Sequence, residues 1–177
     1  MKTSDIEIKL FEYFGIRKTL NVTNVSKKSK ILEFEADFIS LTTSGYATVI
    51  EIKITKGDLK NDLKKKHIAR LGQPSLKSWG KRTAIDVYYK RIKHFYYAVP
   101  SHLIEAALEQ IPYFAGLMEV TNNSIIVIKK PTLLFKFKFT DELKYKLARI
   151  GSIKIYNLKN KIVRLENKIK ENERASN

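Results

Sequence analysis

The stretch Tyr46–Ile54, with the sequence YATVIEIKI, decides the fold of this chain because isoleucine recurs at every second position in its second half. Such alternation is typical of a β-strand. A turn at Thr43-Ser44-Gly45 separates this stretch from another alternating stretch, Ile31–Leu41. Two alternating stretches joined by a short turn that contains glycine predict a β-hairpin.

Polar side chains collect on one face of this hairpin. Side chains two positions apart on a strand lie on the same face of a sheet. Glu51 and Lys53 are therefore predicted to point away from the three isoleucines that alternate with them. Glu35 and Asp37 likewise share a face of the preceding strand. If the two strands pair across the turn, acidic and basic groups converge at one place.

Helical and strand patterns follow one another around the hairpin. Apolar residues at helical spacing predict three helices, at Asp5–Phe14, from Lys56 (with Asp58 as a possible cap) to about Leu71, and from an N-cap at Ser101 to about Gln110. Further strands are predicted at Thr19–Val25, Lys93–Val99, Gly116–Val120, Ser124–Lys129 and, where Phe alternates with Lys, Leu133–Phe139. Glycines, prolines and serines predict a loop over residues 72–80. The expected fold is α/β, a mixed sheet of four or five strands flanked by these helices, in a domain of residues 1–140 with a helical tail at 141–177.

The chain is strongly basic. Its 177 residues include 34 Lys and Arg against 18 Asp and Glu, a net charge of +16. Thirteen of the Lys and Arg lie between Lys53 and Lys93, where only three Asp accompany them. A basic surface favours a polyanionic partner, which inside a cell is usually nucleic acid. The alternative is a Lys-rich surface that serves solubility alone.

Composition excludes several classes of protein. The chain is 44% hydrophobic and 11% aromatic, as a folded domain is. It has no cysteine and three histidines, which excludes disulfides and makes a structural zinc site improbable. No run approaches the roughly 18 consecutive apolar residues of a membrane helix, and the first residues lack the apolar centre of a signal peptide. The expected compartment is the cytoplasm, with no membrane partner.

The tail carries a pattern of its own. Leu158, Ile162, Leu165 and Ile169 follow the 4-3-4 spacing of a coiled-coil seam. Gly151 weakens the helix upstream, and about two heptads are marginal in isolation. The tail is therefore either a helix packed on its own domain or the element through which copies of the chain form a homo-oligomer.

The predicted cluster of carboxylates suits a hard metal ion. Mg²⁺ typically takes one or two carboxylates together with waters and substrate phosphate oxygens. Asp37 and Glu51 can supply the carboxylates, while Lys53 can steady or help deprotonate the attacking water and offset charge on the phosphorus centre. The alternative is an ordinary cross-strand ion pair on a solvated face.

A family resemblance rests on these residues and on stretches downstream of them. The segments that carry it are Glu35-Ala36-Asp37, Ser44-Gly45-Tyr46, Glu51-Ile52-Lys53-Ile54, Lys53–Asp62, Lys64-Lys65-Lys66-His67, Phe95–Pro100 and Ile111–Leu117. Together they resemble the PD-(D/E)XK nuclease superfamily, and in particular its small bacterial and phage members, including the MmcB-like DNA-repair proteins. The resemblance spans roughly residues 5 to 130 and excludes the tail. It implies a restriction-endonuclease-like core and Mg²⁺-dependent cleavage of DNA in repair, recombination or phage DNA metabolism, with Mn²⁺ as a substitute metal.

The resemblance also implies roles for single residues. Asp37 matches the first metal-binding Asp of the motif, although Ala36 stands where proline is usual. Glu51 and Lys53 match its second half, and the backbone carbonyl of Ile52 is expected as a further metal ligand. Many members add a glutamate from the N-terminal helix. Glu7 is the best match for it, and Glu12 is the competitor.

Several basic side chains are candidates for binding phosphates, or else form a solvated helix face. They are Lys56, Lys60, Lys64, Arg70, Lys81 and Arg82. Two rivals to a nuclease remain open. One is a DNA-binding module of the same fold that is inactive alone or needs a partner. The other is a structural or assembly protein whose basic surface docks an acidic partner.

Overall fold

The computed structural model describes residues 1–63, 68, 71 and 90–175. Across these residues one mixed sheet is flanked by helices, so the expected α/β class is confirmed. The predicted loop at residues 72–80 lies outside the described residues, as do the positions between 63 and 71 other than Ile68.

The sheet of the described chain has six strands in sequential order, one or two more than expected. They are β1 (Thr19–Val25), β2 (Ala36–Thr42), β3 (Ala47–Ile52), β4 (Ile92–Pro100), β5 (Gly116–Val120) and β6 (Ile125–Lys129). The pairs β3–β4 and β4–β5 are parallel, and the other three are antiparallel. The predicted hairpin is the pair β2–β3, in which Phe38 lies opposite Ile50.

Four α-helices accompany the sheet in the described residues. They are α1 (Thr3–Phe14), α2 (Lys56–Leu63), α3 (Ile104–Gln110) and α4 (Asp141–Ala175). Thr55 rather than Asp58 caps α2, since its Oγ1 accepts a hydrogen bond from the backbone N–H of Asp58 at 3.1 Å. Ile68 and Leu71 are also helical and buried, while the rest of the predicted helix beyond Leu63 lies outside the described residues. None of the described helices combines the length and the apolar composition needed to cross a membrane.

Both faces of the sheet are covered. On one face, α1 packs against alternate side chains of the strands, in a cluster of Ile6, Leu10, Phe38, Ile50, Ile52, Ala98, Met118 and Val120. On the other face, α2, α3 and the first turns of α4 cover a larger cluster, which includes Leu59, Ala107, Leu147, Val49, Phe95 and Leu117. Because β3 is central, even the polar residues of its second face are withdrawn from water.

The predicted strand Leu133–Phe139 is wrong. This segment has no strand conformation, and its backbone makes only isolated hydrogen bonds, from Leu134 N to the Lys93 carbonyl and from Phe139 N to the Gly45 carbonyl. Its alternating pattern arises because Phe137 and Phe139 pack on the core while Lys136 and Lys138, which alternate with them, remain exposed. The predicted strand Ile31–Leu41 is likewise shorter, since β2 begins only at Ala36.

Two glycines give opposite expectations for substitution by alanine. A Cβ on Gly116 would lie 2.5 Å from the Tyr96 ring and 2.9 Å from the Lys129 carbonyl. Gly116→Ala should therefore lower the free energy of unfolding by about 1–3 kcal/mol through overpacking. In α2, Gly57 has no atom closer than 4.0 Å to an added Cβ. Gly57→Ala should raise the free energy of unfolding by up to about 1 kcal/mol, since alanine favours helix. Urea titration of both variants checks the pair, and equal effects would contradict this packing of β4 and β5.

Candidate active site

The candidate site lies at the carboxyl end of β3. Glu51 is on the strand and Lys53 follows its end, where the backbone N–H of Lys53 still donates to the Ala98 carbonyl at 3.1 Å. Both side chains point to the face covered by α2, and Ile50 and Ile52 point to the face covered by α1. The predicted division of this strand into two faces is therefore confirmed. The predicted alternative of a solvated face is wrong for Glu51 and Lys53, because their side chains are 2% and 5% exposed.

Lys53 is at the centre of the site. Its Nζ donates to Glu51 Oε2 at 2.8 Å and lies 3.4 Å from Asp37 Oδ2. Asp37 stands near the start of β2, where the register that pairs Phe38 with Ile50 places it opposite Glu51. Its Oδ2 also accepts a hydrogen bond from the backbone N–H of Ile52 at 2.8 Å. The structure thus brings together Asp37, Glu51, Ile52 and Lys53, as the sequence predicted.

A third carboxylate, which the sequence analysis missed, completes the surroundings of Lys53. Asp62 on α2 places Oδ1 3.2 Å from Lys53 Nζ, and its side chain is 1% exposed. Its Oδ2 accepts a hydrogen bond from the buried Tyr97 hydroxyl at 3.1 Å. One feature of the sequence could have revealed Asp62. It lies three residues after the apolar Leu59 and therefore on the same face of the helix.

Burial and charge shift the pKa values in opposite ways. Burial, together with repulsion from Asp37 and Asp62, raises the pKa of Glu51 to about 8 despite the attraction of Lys53. Burial alone would lower the pKa of Lys53, but the surrounding carboxylates outweigh it and hold that pKa above its usual range. Lys53 therefore keeps its proton, while Glu51 exchanges one near neutral pH.

The residues present fit a Mg²⁺ ion held by two carboxylates. Among the described residues, no three His, Cys, Asp or Glu side chains are grouped so that they could hold a metal ion. Glu51 Oε1 is nevertheless buried without a hydrogen-bond partner in the described part of the chain, and the Asp37 side chain is 34% exposed. A buried carboxylate oxygen without a partner is costly, and a cation beside it would offset that cost.

Glu7 does not join the cluster directly. It lies on α1 and accepts a hydrogen bond from Asn24 Nδ2 at 2.8 Å. Asn24 has a left-handed backbone, with φ of 47°, and the register of β1 with β2 places it across from Asp37. Glu7 therefore contacts the residue opposite Asp37 without a hydrogen bond or ion pair to Asp37, Glu51 or Lys53. Its competitor Glu12 is exposed on the same helix.

Only part of the predicted phosphate-binding set can be placed. Lys56 and Lys60 are exposed on α2, whereas Leu59 and Asp62 of the same helix are buried. Glu35 is exposed and precedes β2, apart from the buried cluster. The four other predicted phosphate-binding residues lie outside the described residues, namely Lys64, Arg70, Lys81 and Arg82.

Tyr97→Phe tests whether the hydroxyl supports Asp62. The substitution removes the hydrogen bond to Asp62 and leaves the ring in place among Phe95 and its neighbours. Because a buried hydrogen bond to a charged group is lost, the free energy of unfolding should fall by about 1–3 kcal/mol. Chemical denaturation measures the change. Tyr145→Phe, at an exposed ring, is the control, and an equal effect of the two would remove this role from Tyr97.

Comparisons with known proteins place the chain by its fold. No protein-family model matches it, and no curated protein is similar to it. Among solved structures, the chain is similar to a protein of unknown function from Silicibacter pomeroyi, with a TM-score of 0.56 and 16% sequence identity. The match covers 85% of this chain and 86% of the other. The likeness concerns the fold alone.

Proposed function

We propose that this chain is a Mg²⁺-dependent deoxyribonuclease whose site contains Asp37, Glu51 and Lys53. The observation that carries the proposal is the buried lysine with three carboxylates within 3.4 Å of its Nζ. Buried ion pairs contribute little to stability. Strongly shifted pKa values at such a cluster are typical of functional sites.

The charges of the site suggest how its residues divide the work. Lys53 keeps its proton, so it serves as a donor that neutralises negative charge building up on the phosphate rather than as a base. Asp37 and Glu51, with the carbonyl of Ile52, are the proposed metal ligands. When bound, Mg²⁺ polarises the phosphoryl oxygen and favours attack by water on phosphorus. The oxygen of water forms the new bond to phosphorus and the bond to one bridging oxygen of the backbone breaks. The proton released by the water is taken up by solvent and the leaving oxygen gains one, so the products are a phosphate monoester and a hydroxyl group.

The surroundings of the site suit a polyanion. Lys56 and Lys60 are exposed on α2, the helix that follows directly on Lys53. The chain as a whole carries a net charge of +16. Binding to DNA should therefore weaken steeply with salt, since each phosphate neutralised on duplex DNA adds about 0.9 to the logarithmic salt slope.

The test is cleavage of supercoiled, linear duplex and single-stranded DNA with Mg²⁺, with Mn²⁺ and with EDTA. Cutting that requires the metal supports the proposal. Binding without cutting on any substrate would favour the DNA-binding module. No affinity for DNA near physiological salt would favour a basic surface that docks an acidic partner.

The pH dependence of cleavage follows from Glu51. Its pKa of about 8 in the metal-free site means that a proton must leave before the carboxylate can bind a cation. At subsaturating Mg²⁺ the cleavage rate should rise as pH increases from about 6 toward 8 and then level off. Saturating Mg²⁺ should shift the rise to lower pH. Initial rates across this range at two metal concentrations check it, and a rate that falls over the same range would contradict the role of Glu51.

A further inference from the structure

Helix α4 leaves its own domain part-way along its length. Leu143 and Leu147 are buried in the core, and Ile150 packs against it. At Gly151 an added Cβ would lie 3.6 Å from Val22, so this turn still contacts β1. From Ile153 onward the large apolar side chains are exposed by 46% or more. The helix therefore continues for about six turns without a packing partner in the described chain.

The exposed part carries a regular apolar seam. Its residues alternate isoleucine and leucine at spacings of three and four, namely Ile155, Leu158, Ile162, Leu165 and Ile169. In heptad notation the isoleucines occupy positions a and the leucines positions d. Isoleucine at a with leucine at d favours a parallel two-stranded coiled coil. Most of the stability of a helix in a protein comes from packing of its apolar face, and a partner on this seam would supply that packing.

We propose that two copies of this chain pair through residues 155–173 of α4 as a parallel, in-register coiled coil. The charges beside the seam support this partner and this orientation. In a parallel pair, each g position faces the e position five residues later on the other helix. Lys161 then faces Glu166, and Lys168 faces Glu173, in both directions across the symmetric pair. These are four attractive contacts along the interface.

The antiparallel arrangement is disfavoured by the same residues. It would set g positions against g positions, and those are Lys154, Lys161 and Lys168. In the parallel pair the only like-charged contact of this type is Lys154 with Lys159, at the end nearest the domain. The charge pattern therefore selects one orientation of a self-complementary partner.

Two neighbouring residues provide a matched test of the interface. Ile162 lies on the seam and Val163 beside it, and they are 46% and 53% exposed. Sedimentation of the full chain should show a monomer–dimer equilibrium that depends on concentration. Ile162→Lys should raise the dissociation constant at least about tenfold, because an ammonium would be buried in the seam. Val163→Lys should leave it nearly unchanged. A monomer at all concentrations, or equal effects of the two variants, would overturn the proposal.

The orientation is tested by a disulfide, since the chain has no cysteine of its own. Ile169→Cys places one thiol at an a position near the end of the seam. In a parallel, in-register pair the two thiols face each other, and mild oxidation should give a covalent dimer. Leu133→Cys, at an exposed position outside α4, is the control. If sedimentation shows a dimer but Ile169→Cys forms no more disulfide than Leu133→Cys, the parallel arrangement is wrong. Neither readout depends on nuclease activity.

Discussion

Glu51→Gln is expected to lower metal-dependent DNA cleavage by about 100-fold or more, while DNA binding stays close to that of the unsubstituted chain. The amide keeps the shape of the side chain and one oxygen, but it removes the negative charge proposed to hold the metal. Glu51 contributes little to the exposed surface, since its side chain is 2% exposed. We therefore expect Glu51→Gln to lose DNA cleavage without losing affinity for DNA.

The measurement pairs initial cleavage rates with gel-shift affinities on the same samples. Glu119→Gln is the matched control, a half-buried glutamate on β5 of the same sheet. It should leave both quantities unchanged. Asp37→Asn should behave like Glu51→Gln. If Glu51→Gln cuts DNA at the original rate, the proposed site is wrong, whatever the affinity for DNA.

Lys53→Met is expected to lower the free energy of unfolding by about 3–5 kcal/mol near pH 8. The substitution keeps most of the volume but removes the ammonium that lies within 3.4 Å of Glu51, Asp37 and Asp62. Glu51 is almost fully buried, and a buried charge that loses its ion-pair partner is strongly destabilising. The effect should therefore far exceed that of an ordinary surface substitution.

The loss should depend on pH with a defined sign. Burial and the neighbouring carboxylates raise the pKa of Glu51 to about 8 even though Lys53 lowers it. Without Lys53 that pKa rises further above the value of an unfolded glutamate. Below about pH 8 the folded state holds the Glu51 proton with or without Lys53, so the cost of the further rise in pKa appears only above that pH, and the destabilisation should be larger at about pH 9.5 than at about pH 7. Thermal unfolding at the two pH values measures it. Lys56→Met, at an exposed lysine, should leave the Tm unchanged, and an equal loss at both pH values would contradict the charge-based account.

Local patterns were enough to predict most of the strands. The strand Thr19–Val25 has the predicted bounds, and β3, β4 and β5 lie within one or two residues of theirs. These strands combine β-branched residues with turn residues at their ends, so local propensity and tertiary structure agree. The expected sheet of four or five strands was too small because spacing along the sequence does not show which strands pair. Six of the seven predicted segments join one sheet, and Leu133–Phe139 does not.

Long-range packing decided what the sequence could not predict. Alternation around Glu51 is equally consistent with a solvated face and with a buried one, and only the position of β3 at the centre of the sheet distinguishes them. Asp62 approaches Lys53 through the packing of α2 on the sheet. That contact depends on how α2 packs over the end of β3, and no local sequence motif specifies this packing. Glu7 was placed on the correct helix, but its hydrogen bond to Asn24 depends on the left-handed backbone of that residue.

The ammonium of Lys53 acts as an internal counterion for the acidic cluster. It therefore bears on whether the protein needs a metal ion in order to fold. A cluster of acidic groups that relied on a metal for neutralisation would tie folding to metal supply, as in many small metalloproteins. Here the positive charge is supplied by the chain itself, 2.8 Å from Glu51 and 3.2 Å from Asp62. The polypeptide is therefore expected to fold without a metal ion, and chelation should abolish the proposed DNA cleavage without unfolding the chain.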